Sequence, residues 1–258
     1  MNLHTNTCYN MPKRELNIPI DKQLNALSEF WKAECDFNLG RFQEAIDNYQ
    51  KFRYSSGSVL TSIFKDLDYH VGYAYFENSN PYDNSNKSFE EKKQKNLNQA
   101  ITFFRNYIHQ TEISDTSKYR KSLLRIADGY FLQKNDLKAI ENYDLAISLN
   151  GFDNSYALYQ KAKSQGLVQD YEGKTATLKK LTDEYPDSRY QVMSLLDLAQ
   201  TYNDQSMNKE SIETYLQFIK NYPNNNFVST AYVEVGSIYL KESNYVEAEK
   251  YLLVVLDQ

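Results

Sequence analysis

One pattern of small and large apolar residues recurs six times along the chain, and it limits the possible folds more than any other feature. It begins in "GRFQEAIDNYQKF", where Ala45, Tyr49 and Phe52 follow the i, i+4, i+7 spacing of one helix face. A methyl group followed by two rings on one face indicates that another helix comes close at the methyl-bearing position. The equivalents of Ala45, which we call markers, are separated by 55, 39, 35, 37 and 37 residues: Ala45, Ala100, Ala139, Lys174, Ser211 and Ala248.

The residues that flank each marker return in the same register. A small residue stands twelve before five of the markers: Ala33, Ala127, Ala162, Ala199 and Gly236. A large apolar residue stands four after each: Tyr49, Phe104, Tyr143, Leu178, Tyr215 and Leu252. Three units have a tyrosine nine before the marker (Tyr130, Tyr202 and Tyr239), whereas Asp36 and Gln165 break this rule. Six units in register indicate a repeat architecture in which neighbouring units share one core.

This pattern resembles the tetratricopeptide repeat, with its best matches in "GYFLQKNDLKAIENYDLAISLN" and "AQTYNDQSMNKESIETYLQFIKNYPNN". The resemblance implies an all-α fold, a right-handed superhelical solenoid of about six antiparallel helix pairs. It covers the chain beyond residue 20, and residues 1–20 are predicted to be a polar leader. The predicted units are about 21–57, 58–112, 113–152, 153–187, 188–224 and 225–258.

The predicted helix boundaries follow from the repeat and from the prolines, all five of which fall outside the helix interiors. First helices are expected near 21–38, 58–77, 117–133, 154–168, 188–204 and 226–242. Second helices are expected near 42–54, 88–109, 136–149, 171–185, 208–221 and 245–257. The second unit holds 16 extra residues within about 77–96, an Asn- and Ser-rich insertion that is either an elaborated functional loop or a tolerated surface extension.

Composition excludes several classes of protein. A net charge of −5 with basic residues scattered among acidic ones argues against a nucleic-acid groove. No run of about 18 apolar residues is present for a membrane span, and the first 20 residues do not resemble a signal peptide. Two cysteines are too few for a disulfide framework, and Cys35 is predicted to be a small core residue.

Signatures of catalysis and of metal or cofactor binding are missing from the sequence. The three histidines, His4, His70 and His109, have no partner at metal-ligand spacing, and His70 among aromatic residues is predicted to be structural. No phosphate-binding glycine loop or nucleophile motif occurs. We therefore predict that the protein is not an enzyme, with no catalytic residue, cofactor or metal.

The family resemblance implies a concave groove, lined by the first helices, in which extended peptides or partner helices lie. The positions expected to point into it stand fifteen, eleven and eight before each marker. In the second unit, where the insertion lengthens the spacing, the equivalent positions are counted from its small residue Gly72. In the first half of the chain these positions are mostly aromatic. The predicted groove residues are Phe30, Glu34, Phe37, Tyr69, Tyr73, Phe76, Leu124, Asp128, Phe131, Tyr159 and Lys163. Of these, Tyr69 and Tyr73 are expected to be exposed. Phe37, Phe76 and Phe131 could equally pack against neighbouring helices.

The sequence thus predicts a noncatalytic scaffold for a protein or peptide partner. One family variant grips a C-terminal carboxylate with Lys, Asn and Arg at these positions, and the aromatic residues at most of them here do not support that activity. "EYPDS" and "NYPNN" resemble links in bacterial envelope repeat proteins, which favours a periplasmic or cell-envelope fragment over a cytoplasmic protein. The alternatives are a self-association or spacer module, joined through the apolar end at Leu252–Val255, and an accessory domain of an enzyme or sugar-binding system.

Overall fold

The computed structural model describes residues 21–80, 87–110, 115–149 and 154–256, and all regular structure in these ranges is helical. Twelve α-helices follow one another in this part of the chain: α1 Lys22–Asn38, α2 Phe42–Tyr54, α3 Leu67–Asn78, α4 Lys87–Gln110, α5 Thr116–Leu132, α6 Asp136–Ser148, α7 Ser155–Leu167, α8 Tyr171–Glu184, α9 Gln191–Asp204, α10 Asn208–Asn221, α11 Val228–Lys241 and α12 Tyr245–Leu256. The predicted all-α helical-repeat fold is confirmed. The predicted leader and residues 81–86 of the insertion lie outside the described residues.

Two segments differ from the predicted helices. Residues 58–66 form two short 3-10 turns, Ser58–Leu60 and Ser62–Asp66, so that α3 begins nine residues later than expected. Thr61 between them is extended, and the backbone of Gly57 lies so close to that of Lys22 that a Cβ there would be 2.0 Å from its carbonyl oxygen. Residues 87–96 of the insertion belong to α4, which runs for 24 residues whereas α2 and α6 have 13 each.

The helices fall into two compact units, Met1–Asn135 and Asp136–Gln258. Unit 1 contains α1 to α5 and unit 2 contains α6 to α12, and in each unit every helix packs against the next one along the chain. Within the units, the links between first and second helices are only three residues long in the first, fourth, fifth and sixth pairs, as expected for antiparallel neighbours.

The small residues lie where two helices of a pair cross, as the repeat predicts. Ala33 and Ala45 are both fully buried, and so are Ala162, Ala199 and Ala248 within about 1%. A Cβ at Gly72 would be 2.9 Å from the Phe104 ring, and one at Gly236 would be 2.6 Å from Leu252. The equivalent position of the first helix, which is twelve before the marker at Gly236 and 28 before it at Gly72 because of the insertion, therefore has to be small. The large residue four after the marker packs directly on it.

A left-handed residue follows the first helix in every pair. In the second pair it is Asn80, at φ 45°, and in each of the other five pairs it lies five positions before the marker. These five residues have φ between 59° and 75°, and they are Gly40, Lys134, Gln169, Ser206 and Ser243. In each case the amide of the next residue donates to the carbonyl nine before the marker, such as Arg41 N to Asp36 O at 2.9 Å. The turn satisfies carbonyl groups that a helix end leaves without partners.

The two units that lack the tyrosine nine before the marker have a buried polar network in its place. Asp36 is 5% exposed and accepts hydrogen bonds from Arg41 and from Asn48, the latter at 2.7 Å. Gln165 is 4% exposed and donates to Asp170 at 3.0 Å. These contacts pair the buried carboxylate of Asp36 and the side-chain amide nitrogen of Gln165.

The prediction that Cys35 is a core residue is wrong. It is only half-buried on α1 and is disulfide-bonded. The only other cysteine of the sequence, Cys8, lies outside the described residues.

Candidate functional site

The first helices of unit 1 carry a connected group of polar and aromatic side chains that begins at Glu34 on α1. Its Oε1 accepts hydrogen bonds from Tyr49 Oη and from His70 Nδ1, the latter at 2.8 Å. The His70 ring also packs edge-on against Phe30, with 5.1 Å between ring centroids. His70 is therefore the structural histidine that the sequence predicted, and it joins α3 to α1.

The electrostatic balance at Glu34 keeps it ionised. Burial is the largest influence and would raise the pKa of this carboxyl. The hydrogen bond and the charge of His70, together with the hydrogen bond from Tyr49, outweigh burial and lower the pKa below its ordinary value. Glu34 is thus a fixed negative charge at neutral pH.

Two tyrosines on α3 extend this group. Tyr69 and Tyr73 lie edge-on with 4.9 Å between ring centroids, and Tyr69 is 5.6 Å from His70 by the same measure. Both rings also contact α4: Tyr73 lies 5.1 Å from Phe104 and Tyr69 lies 5.4 Å from Tyr107. They are half-buried, less exposed than expected, with one side of each ring occupied by the core.

Two cations from α5 stack on these rings. Lys118 Nζ lies 5.8 Å from the Tyr69 centroid and pairs with Asp66 at 2.6 Å. The Arg125 guanidinium lies 5.9 Å from the Tyr73 centroid. Cations over ring faces orient both partners at a half-exposed surface. We call Glu34, Tyr69, His70, Tyr73, Lys118 and Arg125 the first-helix surface of unit 1.

Several predicted groove residues are buried instead. Phe30 and Phe76 are 2% and 1% exposed, and Leu124 and Asp128 are 8% and 5% exposed, so none of them offers a free surface. For Phe76 this is the packed alternative, since Arg125 of α5 lies over its ring at 5.4 Å. Phe30, Leu124 and Asp128 differ from the expectation of exposure, and Asp128 pairs with Arg125 of its own helix at 2.8 Å.

The other predicted groove residues keep some exposure. Phe37 is half-buried and packs on Phe42 with 5.4 Å between centroids, and Phe131 is half-buried too. In unit 2, Tyr159 is half-buried and Lys163 is exposed. Whether any of these residues contacts a partner stays a prediction.

Sequence reasoning missed a set of positions two residues before each small residue. In unit 1 these are Trp31, His70 and Arg125, and Trp31 is 55% exposed. His70 and Arg125 reach back to the first helix of the preceding pair, to Glu34 and Tyr73. The signal that could have found them is the run of polar or very large residues at this offset, which a buried helix face would not contain.

The described residues contain neither a metal site nor a membrane-spanning helix. No group of three or more His, Cys, Asp or Glu side chains among them could hold a metal ion. No helix in these ranges combines the length and apolar character that crossing a membrane requires.

Comparison with known proteins identifies the repeat. The tetratricopeptide repeat family model matches residues 156–188 and 193–225. No curated protein sequence matches the chain.

Solved structures resemble the chain in fold at low sequence identity. The C-terminal part of a TPR repeat-containing protein from Cytophaga hutchinsonii has a TM-score of 0.64 and 14% identity, over 89% of this chain and 83% of that one. The apo form of RapI has a TM-score of 0.54 and 12% identity, over 90% and 97%. MamA protein has a TM-score of 0.53 and 16% identity, over 72% and 90%. The family matches thus identify tetratricopeptide repeats at residues 156–188 and 193–225, and the solved structures share the helical-repeat fold of the chain.

Proposed function

We propose that this protein is a noncatalytic scaffold that binds an extended or helical segment of a protein partner on the first-helix surface of unit 1. The tetratricopeptide fold itself suggests a role in protein–protein interaction. The observation that carries the finer proposal is the half-exposed ring pair Tyr69 and Tyr73, flanked by the cations Lys118 and Arg125. Tyrosine and arginine dominate the energetics of protein interfaces because they bury large areas and also donate hydrogen bonds.

The surface is ordered before any partner arrives. The ion pair between Lys118 and Asp66 and the hydrogen bond between His70 and Glu34 fix side chains that would otherwise lose rotamer freedom on binding. The tyrosine hydroxyls and the edges of the rings then supply directional contacts. This arrangement suits a polar segment with apolar anchors better than a flat apolar surface.

The test uses the single tryptophan of the chain. Trp31 is 55% exposed on α1 and contacts Phe30, whose ring touches His70, so a ligand on this surface should change its fluorescence. Peptides selected from a phage-displayed random library on the immobilised chain are titrated against it. Changing both Tyr69 and Tyr73 to phenylalanine keeps the rings packed on α4 and removes only their hydroxyls. We expect the selected peptides to bind about tenfold more weakly to this variant.

The matched control is Tyr54→Phe, because Tyr54 lies on α2 and is 82% exposed. This variant should bind like the wild type. Equal affinity for the double variant, or no change in Trp31 fluorescence at saturation, would contradict the proposed surface.

Self-association is a second candidate function, and one observation favours it. Leu252 and Val255 on α12 stand four and seven residues after the last marker, Ala248, and both are half-exposed. The residues at the same two positions after the five earlier markers are at most 4% exposed. Leu253 and Leu256 on α12 are 47% and 79% exposed. An apolar face of this kind favours contact with another chain.

Light scattering over a concentration series tests this candidate. A mass that rises with concentration in the wild type, and stays monomeric after Leu256→Glu and Val255→Glu, would support it. A monomer at every concentration would refute it without affecting the peptide-binding test.

A further inference from the structure

Unit 2 contains a lysine at a position where the repeat elsewhere has an alanine or a serine. Lys174 is the marker of the fourth pair, and the other markers in this unit, Ala139, Ser211 and Ala248, are fully buried. Burying an ammonium group at a helix crossing is unfavourable, so its side chain has to escape from the crossing. The residue that permits this escape is Gly166 on α7.

The lysine passes over this glycine to the first-helix side of the pair. A Cβ at Gly166 would lie 3.3 Å from Lys174 Cδ and 3.7 Å from its Nζ. Gly166 stands eight residues before its marker. In four other pairs the residue at this position has a side chain: Phe37, Phe131, Asn203 and Leu240. Where the small marker is replaced by Lys174, the residue eight before it is thus a glycine, with no side chain to block the path of the lysine. The second helix thereby delivers an amine to the surface of the first.

A second amine and an arginine lie around two stacked tyrosines on the same surface. Tyr159 and Tyr190 have ring centroids 5.1 Å apart and an interplanar angle of 22°. Lys163 Nζ lies 5.8 Å from the Tyr159 centroid, and the Arg189 guanidinium lies 4.8 Å from the Tyr190 centroid. The stack therefore has a cation at each end. We call Tyr159, Lys163, Lys174, Arg189 and Tyr190 the cationic tyrosine surface.

Asp197 on α9 is an acidic group among these cations. Burial raises the pKa of its carboxyl, and the charges of Lys174 and Lys163 act in the opposite direction. Both amines thus act on one half-buried carboxyl. The cationic tyrosine surface itself contains three cations, although the whole chain carries −5.

We propose that unit 2 binds an acidic segment of a protein partner at the cationic tyrosine surface. Amines and a guanidinium recognise carboxylates by charge-assisted hydrogen bonds, and the tyrosine hydroxyls can donate to the same groups. A short acidic segment matches a small patch of three cations. A long polyanion would in addition meet the negative charge of the rest of the chain. This proposal rests on the scaffold role given above but not on the first-helix surface of unit 1, so each can fail alone.

The experiment measures binding of a fluorescein-labelled hexaglutamate peptide to the full chain by anisotropy, with a hexaglutamine peptide for comparison. We expect the wild type to bind hexaglutamate in preference and to lose affinity as salt is raised. Lys174→Met removes the amine and keeps the apolar stem beside Gly166. It should weaken binding about tenfold while the melting temperature stays the same or rises. A purely structural role for Lys174 would instead lower the melting temperature.

Lys179→Met is the matched control, since Lys179 is an exposed lysine on the same helix, and its affinity should equal that of the wild type. An equal loss in this control, or no binding of hexaglutamate to the wild type, would overturn the proposal. Tighter binding of a uronic acid oligosaccharide than of hexaglutamate would also overturn it, because the surface would then be one for acidic sugars.

Discussion

Truncation of Tyr143 to alanine is expected to lower the free energy of unfolding by about 3–5 kcal/mol, the largest single effect that we predict. Tyr143 lies on α6 four residues after the marker, and its side chain is fully buried. The truncation removes a large ring from a closely packed interior and leaves a cavity that rigid helices cannot close. Urea denaturation followed by far-UV circular dichroism measures the loss.

Tyr54→Ala is the control for this measurement, because Tyr54 is 82% exposed and its loss should change the free energy of unfolding by no more than about 0.5 kcal/mol. An unfolding curve for Tyr143→Ala that matches the wild type would show that the repeat register is wrong. In an array of paired helices the loss could be confined to neighbouring pairs. Hydrogen exchange along the chain would then locate it around α6.

The second large effect on the free energy of unfolding is expected from adding a single methyl group at Gly72. The new Cβ would lie 2.9 Å from two ring carbons of Phe104, a distance that requires the ring or the helices to move. Phe104 is fully buried and its ring is held between Tyr69 and Tyr73, so it has little freedom to yield. We expect Gly72→Ala to cost about 1–3 kcal/mol, as overpacking of a core does, measured from the urea midpoint.

A double-mutant cycle assigns this cost to the crossing of α3 and α4. In a Phe104→Leu background the new methyl group has more space, so the same change at Gly72 should cost less than in the wild type. Gly166→Ala provides the comparison, since its closest neighbour is the flexible Lys174 side chain at 3.3 Å, and it should have little effect. Equal costs of the change at Gly72 in both backgrounds would show that Phe104 is not what the methyl group meets.

The helix pairs could be predicted because the signals for them are local. The spacing of Ala33, Ala45 and Tyr49 defines a face on each helix of a pair, and prolines such as Pro186 and Pro223 lie in the turns that separate pairs. Residues 58–66 have no such marker. Their 3-10 turns depend on the contact between Gly57 and Lys22, 35 residues earlier, which no local pattern encodes.

The candidate site was predicted less well because exposure depends on the neighbouring pair. Phe30 follows the groove spacing, yet it is 2% exposed because it packs between Phe52 of its own pair and His70 of the next. The spacing specifies the direction of a side chain from its own helix axis, but not how far the next helix overlaps it. The first-helix surface of unit 1 therefore keeps the predicted Tyr69 and Tyr73 and adds His70 and Arg125, which no groove spacing predicted.

The left-handed turns within the pairs could not be recognised from residue type alone. Only one of the five turns uses glycine, the residue that adopts this conformation without cost, and the others use lysine, glutamine and serine at φ near 60°. Packing on both sides therefore imposes a reversal that the local residues do not favour. The residue types in the turn can change from one pair to the next while its backbone geometry is kept. Such arrays can therefore diverge far in sequence without losing their fold.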